Sequence, residues 1–330
     1  VLSRTERLEI VNSHNSICRF VIGAGAVGLF LAHTLKIVYP QDSLYIMNKS
    51  RTVLPLTIEY VDGRQFQSDL QAVLLNENPQ NIFSKIKSLN IYFYVTLPPE
   101  NAENVFVYIL KILKGVAGEK IITIIFLNNG FVDKKKIENF KIKLSKKGFL
   151  TIHFIRALII AGYMRTRDNA GTLVKNTGGN KIFYGTYNNE FIDSNNIFPK
   201  EFYSSIYDKD IFLREKAKFI TNLLLGLIIN NKLLENRKVF TIIPKDKLDK
   251  TLENFCNLFG ENEVRYDFIR EQFLLAVHET GGNINSISYA WYHGKRQTID
   301  YFVSELKSFM KKSKNKSAIH FMNEIIKEYY

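Results

Sequence analysis

The chain has 330 residues, 46% of them hydrophobic and 23% charged, with a net charge of +13 and two cysteines. That length suits two domains, and that balance excludes wholesale disorder, a collagen-like chain and a disulfide scaffold. Cys18 and Cys256 suggest a reducing, cytoplasmic compartment; Val1–Phe20 has no signal-peptide core, and no apolar run reaches the roughly 18 residues of a membrane span.

In chain order, Arg19–Ile22 reads as a short strand, Gly23–Gly28 as a glycine-rich turn and Leu29–Val38 as a helix. Strands follow at Ser43–Met47 and Ile91–Leu97, then Pro98-Pro99, a helix over Ala102–Leu113, and a buried strand, Lys120–Leu127, ending in Asn128-Asn129-Gly130. The lysines from Lys134 to Lys147 alternate with apolar residues at helical spacing, as on a solvated helix face. Phe149–Phe154, Thr172–Asn176 and Lys181–Gly185 read as short strands forming an antiparallel edge. From Asp210 the pattern is helical: Phe212–Ile229, Lys247–Phe259, Tyr266–Glu279, Ser286–Tyr292 and Gln297–Phe309. The lysines from Lys307 to Lys316 interrupt it as an exposed turn. Strand–helix alternation followed by helices predicts an α/β domain of the Rossmann type over residues 1–208 and an all-α domain over 209–330.

Gly23-Ala24-Gly25-Ala26-Val27-Gly28 fits the spacing G-x-G-x-x-G, with a strand before it and a helix after it. The first glycine permits a tight turn, the second admits a pyrophosphate to the backbone, and the third lets helix and strand pack closely. The free N–H groups of the helix start then face the phosphates. NAD-binding folds usually end their second strand in a carboxylate, but here Asn48-Lys49-Ser50-Arg51 supplies two cations. Lys49 or Arg51 pairing with a 2′-phosphate favours NADP(H) over NAD(H); a solvated loop is the alternative for either one.

Lys218 and Asn222 are four residues apart, on one face of an otherwise apolar helix. A lysine there is partly desolvated, which lowers its pKa and suits it to proton donation near neutrality. Taken alone, the same lysine is an ordinary snorkelling side chain. Asn129 before Gly130 suits a turn as well as a ligand contact. Asn283 and Ser286 fall at a helix start, where capping competes with anion binding.

Four segments in register resemble the ketopantoate reductase (2-dehydropantoate 2-reductase) family: GAGAVG at Gly23, Leu127–Gly130, Lys218–Asn222, and Asn283–Ser286 followed by Thr298–Tyr301. The resemblance implies NADPH-dependent reduction of a 2-oxo acid, ketopantoate to pantoate in pantothenate and coenzyme A synthesis. Lys218 would give the proton and help bind substrate, with Asn222, Asn283, Ser286 and Asn129 as the other substrate contacts. Gly23 to Gly28, Lys49, Arg51, Asn129 and Thr298 would line the cofactor. The chain departs from the family at Thr298, where a glutamate is usual, at Pro98 for a lysine, at Gly226 for a second asparagine, and over Lys311–Ser317. These departures keep two alternatives open, a reductase of another branched 2-oxo acid and a non-catalytic NADP(H)-binding relative. Neither nucleic acid nor a metal is expected, since no recognisable motif or ligand spacing supports them; a homodimer is compatible with the resemblance.

Overall fold

Parallel pairing of short apolar strands sets the frame. The computed structural model describes residues 17–48, 56–68, 70, 72–74, 88–98, 101, 103–114, 116, 119–168, 171–188, 192, 196–230, 232–260 and 265–330. β1 (Ile17–Ile22) lies between β2 (Ser43–Asn48) and β6 (Asn90–Val95), parallel to both. Outward from β2 comes β5 (Ala72–Leu74); outward from β6 come β7 (Ile121–Phe126) and β8 (Thr151–Asp168). The order β5-β2-β1-β6-β7-β8 is that of a doubly wound dinucleotide fold. Its strand order reverses between β1 and β6, and the glycine-rich turn leaves the carboxyl end of β1 there.

Alternate residues of these strands face opposite layers. Cys18, Phe20 and Ile22 pack with α2 (Glu103–Leu113) and α3 (Lys134–Ser145), while Val21 packs with α1 (Ala26–Val38). On α3, Ile137, Phe140 and Leu144 are buried and Lys134, Lys135, Lys136, Lys141 and Lys143 are exposed, the solvated face that the spacing predicts.

Two expectations need correction. The three short strands after Phe149 are two long ones, β8 and β9 (Gly171–Thr186), paired antiparallel with a register shift around Gly162. Nor is this ribbon an edge: β9 also pairs with β3 (Leu56–Glu59) and β10 (Ser204–Tyr207), and β4 (Gln65–Ser68) lies beyond β3. The ribbon projects past the parallel strands, so Arg165, Thr166 and Arg167 meet water and read as loop. The second correction concerns the C-terminal lysines. The helix here runs through Lys312, and a further helix, Lys316–Tyr329, buries Ala318, Met322, Ile325 and Ile326 at helical spacing.

The last strand ends at Tyr207 and the helices begin with α4 (Ile211–Ile229). α4 is buried around most of its circumference, as a helix apolar on all sides must be. Around it lie α5 (Val239–Ile242), α6 (Lys245–Phe259), α7 (Tyr266–Glu279), α8 (Ser286–Tyr292), α9 (Gln297–Lys312) and α10 (Lys316–Tyr329). α8 crosses α4 at Gly226, where an added Cβ would lie 2.8 Å from Ile287 Cγ2 and 3.0 Å from its Cβ. That approach leaves no room for a larger residue at this position.

Gly226→Ala therefore destabilises the protein. Overpacking a filled core costs about 1–3 kcal/mol, which outweighs the gain of about 0.5–1 kcal/mol from replacing a helical glycine. Urea unfolding of the two proteins measures the difference.

Candidate active site

The three glycines of the turn have separate reasons. Gly23 sits at φ +116°, a conformation that side chains rarely adopt, and an added Cβ would meet Thr96 Oγ1 at 2.9 Å. At Gly28 a Cβ would lie 2.0 Å from the Gly23 carbonyl oxygen. Gly25 is the exposed cap of α1, at an ordinary φ of −75°, and a Cβ there would meet nothing within 4 Å. Nothing within the described chain requires that glycine. The opening suits a group brought close to the backbone from outside, and a dinucleotide pyrophosphate fits it. Thr96, at the end of β6, donates to the carbonyls of Gly23 (2.9 Å) and Ile22 (3.2 Å) and so fixes the turn. Thr96 carries no signal in the sequence, because its partners meet it only when β1 and β6 are adjacent. Lys49 and Arg51 lie outside the described residues; Asn48, the end of β2, is the last residue before them.

The lysine on α4 faces the sheet. Lys218 Nζ donates to the Ile159 carbonyl of β8 at 2.7 Å. Lys216 turns elsewhere, with its Nζ over the Phe259 ring at 5.5 Å. Some of Lys218 still meets solvent, yet burial is the largest cause of a pKa lowered to about 7, with the Arg156 guanidinium lowering it further and Glu215 opposing. Asn222, one turn on, is half-buried, and its side chain makes no hydrogen bond with the described residues.

Arg156 is the residue that joins this lysine to the turn after β7. It is 1% exposed, and all five of its N–H donors are engaged. Nε donates to Glu215 of α4 at 2.5 Å; Nη1 donates to the carbonyls of Phe126 (2.7 Å) and Ala157 (3.1 Å). Nη2 donates to the carbonyls of Asn128 (2.9 Å) and Gly130 (3.0 Å), which bracket Asn129. Gly130 has φ +86°, so the turn needs its glycine. Phe131 then packs its ring on Phe219 of α4 at 4.9 Å, and its N–H donates to Tyr301 Oη of α9 at 3.3 Å. Asn129 is thus held half-exposed between β7 and the helices. Thr298 lies one turn before Tyr301 on α9 and is half-buried.

The loop before α8 separates capping from binding. Asn285 is the cap, its Oδ1 accepting from Ile287 N at 2.9 Å and Ser288 N at 3.4 Å. Ser286 is exposed at the first position of α8. Asn283 is 8% exposed, and neither side-chain polar atom has a partner among the described residues. It lies against Gly162 of β8, where an added Cβ would come within 1.7 Å of Asn283 Nδ2. Ile159, which accepts from Lys218, is three residues earlier on that strand. Asn236 sits beside Asn283, its N–H donating to the Asn283 carbonyl at 2.7 Å; its own Oδ1 and the Ser288 hydroxyl are buried without partners among the described residues. A buried amide with both ends unsatisfied is costly unless something else completes it. The sequence carried no signal for Asn236 or Ser288, because their burial is decided by the packing of α8 and the loop before it.

No protein-family model and no curated protein matches this sequence. Solved structures do match along nearly the whole length. One is D-mandelate dehydrogenase with NADH and anilino(oxo)acetate, at TM-score 0.66 and 13% identity over 94% of this chain and 98% of that one. Another is a probable 2-dehydropantoate 2-reductase from Bacillus subtilis, at TM-score 0.61 and 16% identity over 95% and 100%. A third is the dimeric ketopantoate reductase from Staphylococcus aureus, at TM-score 0.58 and 11% identity over 95% and 100%. The fold is that of the ketopantoate reductase structures. A Rossmann-type sheet followed by helices was the arrangement expected from the pattern of elements.

Two outcomes follow from the charges. Lys218 titrates lower in the folded protein, near 7, than the 10.5 of a free lysine. Between those values the unfolded chain binds more protons, so this residue's contribution to stability rises with pH through that window. Lys218→Met should therefore be relatively most stabilising below pH 7 and lose that advantage towards pH 10, as read by urea unfolding at several pH values. Arg156→Met leaves Glu215 buried without its cation and should cost about 3–5 kcal/mol. Adding Glu215→Gln to that variant should recover part of the loss in the same measurement.

Proposed function

We propose that the protein reduces a 2-oxo acid with a nicotinamide dinucleotide, Lys218 supplying the proton. The sheet region through residue 208 holds the dinucleotide, and the helices from 209 onward bring the groups that hold substrate. The observation that carries this reading is Lys218 of α4, whose pKa burial lowers to about 7 and whose Nζ donates to the Ile159 carbonyl of β8, with the Asn283 amide, unsatisfied among the described residues, against the same strand. The match to oxidoreductase folds, one of them with NADH and an oxo acid analogue, supports it.

The turn at Gly23–Gly28, the start of α1 and Asn129 would hold the dinucleotide, which supplies a hydride when bound. Hydride arrival at a ketone builds negative charge on oxygen. Lys218, half-protonated near neutrality, hydrogen-bonds that oxygen and passes it a proton, leaving the Ile159 carbonyl to do so. Asn222, Asn283 and Ser286 offer amide and hydroxyl groups to the carboxylate and side chain of the acid. Arg156 ties the Asn129 turn to α4, the helix that carries Lys218, and adds to the burial that lowers the lysine's pKa. NADP(H) is the preferred cofactor in this reading because Lys49 and Arg51 follow β2 where a carboxylate is usual.

Ketopantoate is the first substrate of choice. A second reading, another branched 2-oxo acid, is favoured by one observation: α8 closes over Gly226, so no polar group stands where the family has its second asparagine.

The test is NADPH and NADH oxidation with a panel of 2-oxo acids, ketopantoate included. We expect NADPH to bind more tightly than NADH and one branched 2-oxo acid to be turned over. Lys218→Ala should lower turnover at least about a hundredfold, the scale of a positioned acid, with NADPH affinity little changed. Lys216→Ala should do far less. Near-native turnover by the Lys218 variant would sink the mechanism.

A further inference from the structure

The β8–β9 ribbon runs past the end of the parallel sheet and crosses the start of α1. Tyr163 of β8 packs on Phe30 of α1, ring centroids 4.9 Å apart. Two residues on, on the same strand face, Arg165 reaches the glycine-rich turn: its Nη1 donates to the Ala24 carbonyl at 2.5 Å. The guanidinium is exposed, and among the described residues it forms no ion pair. Across the ribbon it faces Val174; the nearby cation Lys175, opposite Met164, is paired with Glu59 at 2.6 Å. The first turn of α1 holds no acidic residue that could neutralise Arg165 either. Among the described residues, an unneutralised fork of N–H donors therefore stands at Ala24, next to open Gly25 in the chain, with one donor on a neutral carbonyl.

We propose that Arg165 is a cofactor-binding residue that pairs with the pyrophosphate of the dinucleotide. This rests on the dinucleotide reading above and extends it to a strand that is far from the glycine motif in sequence. A guanidinium matches two phosphate oxygens with parallel N–H bonds, and such charge-assisted bonds are stronger than one to a neutral carbonyl. The α1 N–H groups and Arg165 would then approach the pyrophosphate from two sides, helix and ribbon. Arg167, two residues further along the same face, is also exposed, and among the described residues it has no hydrogen bond to the turn.

Calorimetric titration of NADPH and NADH into the wild type, Arg165→Ala, Arg165→Lys and Arg167→Ala tests the assignment. The pyrophosphate is common to both nucleotides, so Arg165→Ala should weaken both by a similar factor, about tenfold or more for a lost charge-assisted bond. Arg165→Lys should lose less, because it keeps the charge without the fork, and Arg167→Ala should change binding less than about threefold. Unfolding midpoints should be unchanged across the set, since Arg165 is exposed. Unchanged affinity in Arg165→Ala overturns the proposal, and so does a loss confined to NADPH, which would assign Arg165 to the 2′-phosphate. A wild-type protein that binds neither nucleotide would instead overturn the dinucleotide reading, and this assignment with it.

Discussion

A guanidinium cut off from water must find a partner for every N–H it carries. Arg156 does so by gathering five acceptors from three separate parts of the chain. Two are carbonyls on either side of Asn129, two belong to β7 and β8, and one is the carboxylate of α4. Glu215 is itself pushed up in pKa by burial, so the pair is held at an electrostatic cost that only complete hydrogen bonding offsets. The geometry of the turn, the angle of α4 and the environment of Lys218 are therefore not three independent features. Moving any one leaves a buried charge or carbonyl unsatisfied.

Much of this was legible before any coordinates. The strand–turn–helix at Gly23, the buried run before Asn128, and the long apolar helix carrying Lys218 all have periods and punctuation that a single sequence displays. The partial desolvation of Lys218 was expected from the apolar helix that carries it, while only Asn222, four residues on, set it apart from Lys216. What stayed hidden depends on distant segments meeting. Arg156 reads as one charged residue in a strand, and nothing near it in sequence announces Glu215. Arg165 and Arg167 look like loop residues because the ribbon that carries them has a wet face. The C-terminal helix was masked by lysines that sit on its solvated side and at its start. Asn285, not its neighbours Asn283 and Ser286, proved to be the cap, a distinction of one or two positions that spacing alone does not decide.

The departures from the resembling family have local causes in part. Gly226 is small because Ile287 needs the room, so an asparagine there would force α8 away from α4. Pro98 is exposed beyond β6, and the fixing of the glycine turn falls to Thr96 two residues earlier. Thr298 occupies the first turn of α9, on the helix that Tyr301 pins to the Asn129 turn. Nothing in its surroundings explains why a threonine stands there rather than a carboxylate.

The long ribbon also governs the order in which the chain can acquire its structure. β3 finds no parallel neighbour near it in sequence; Leu56 lies beside Thr172 of β9, and Arg19 of the first strand gives a hydrogen bond to the carbonyl of Asn196. During synthesis these amino-terminal segments must wait, with apolar surface uncovered, until the ribbon and the segment after it have left the ribosome. Contacts so far apart slow the search for the native pairing. The glycine-rich turn is thus made before the ribbon whose Arg165 reaches it, and its surroundings are complete only once that ribbon has folded back.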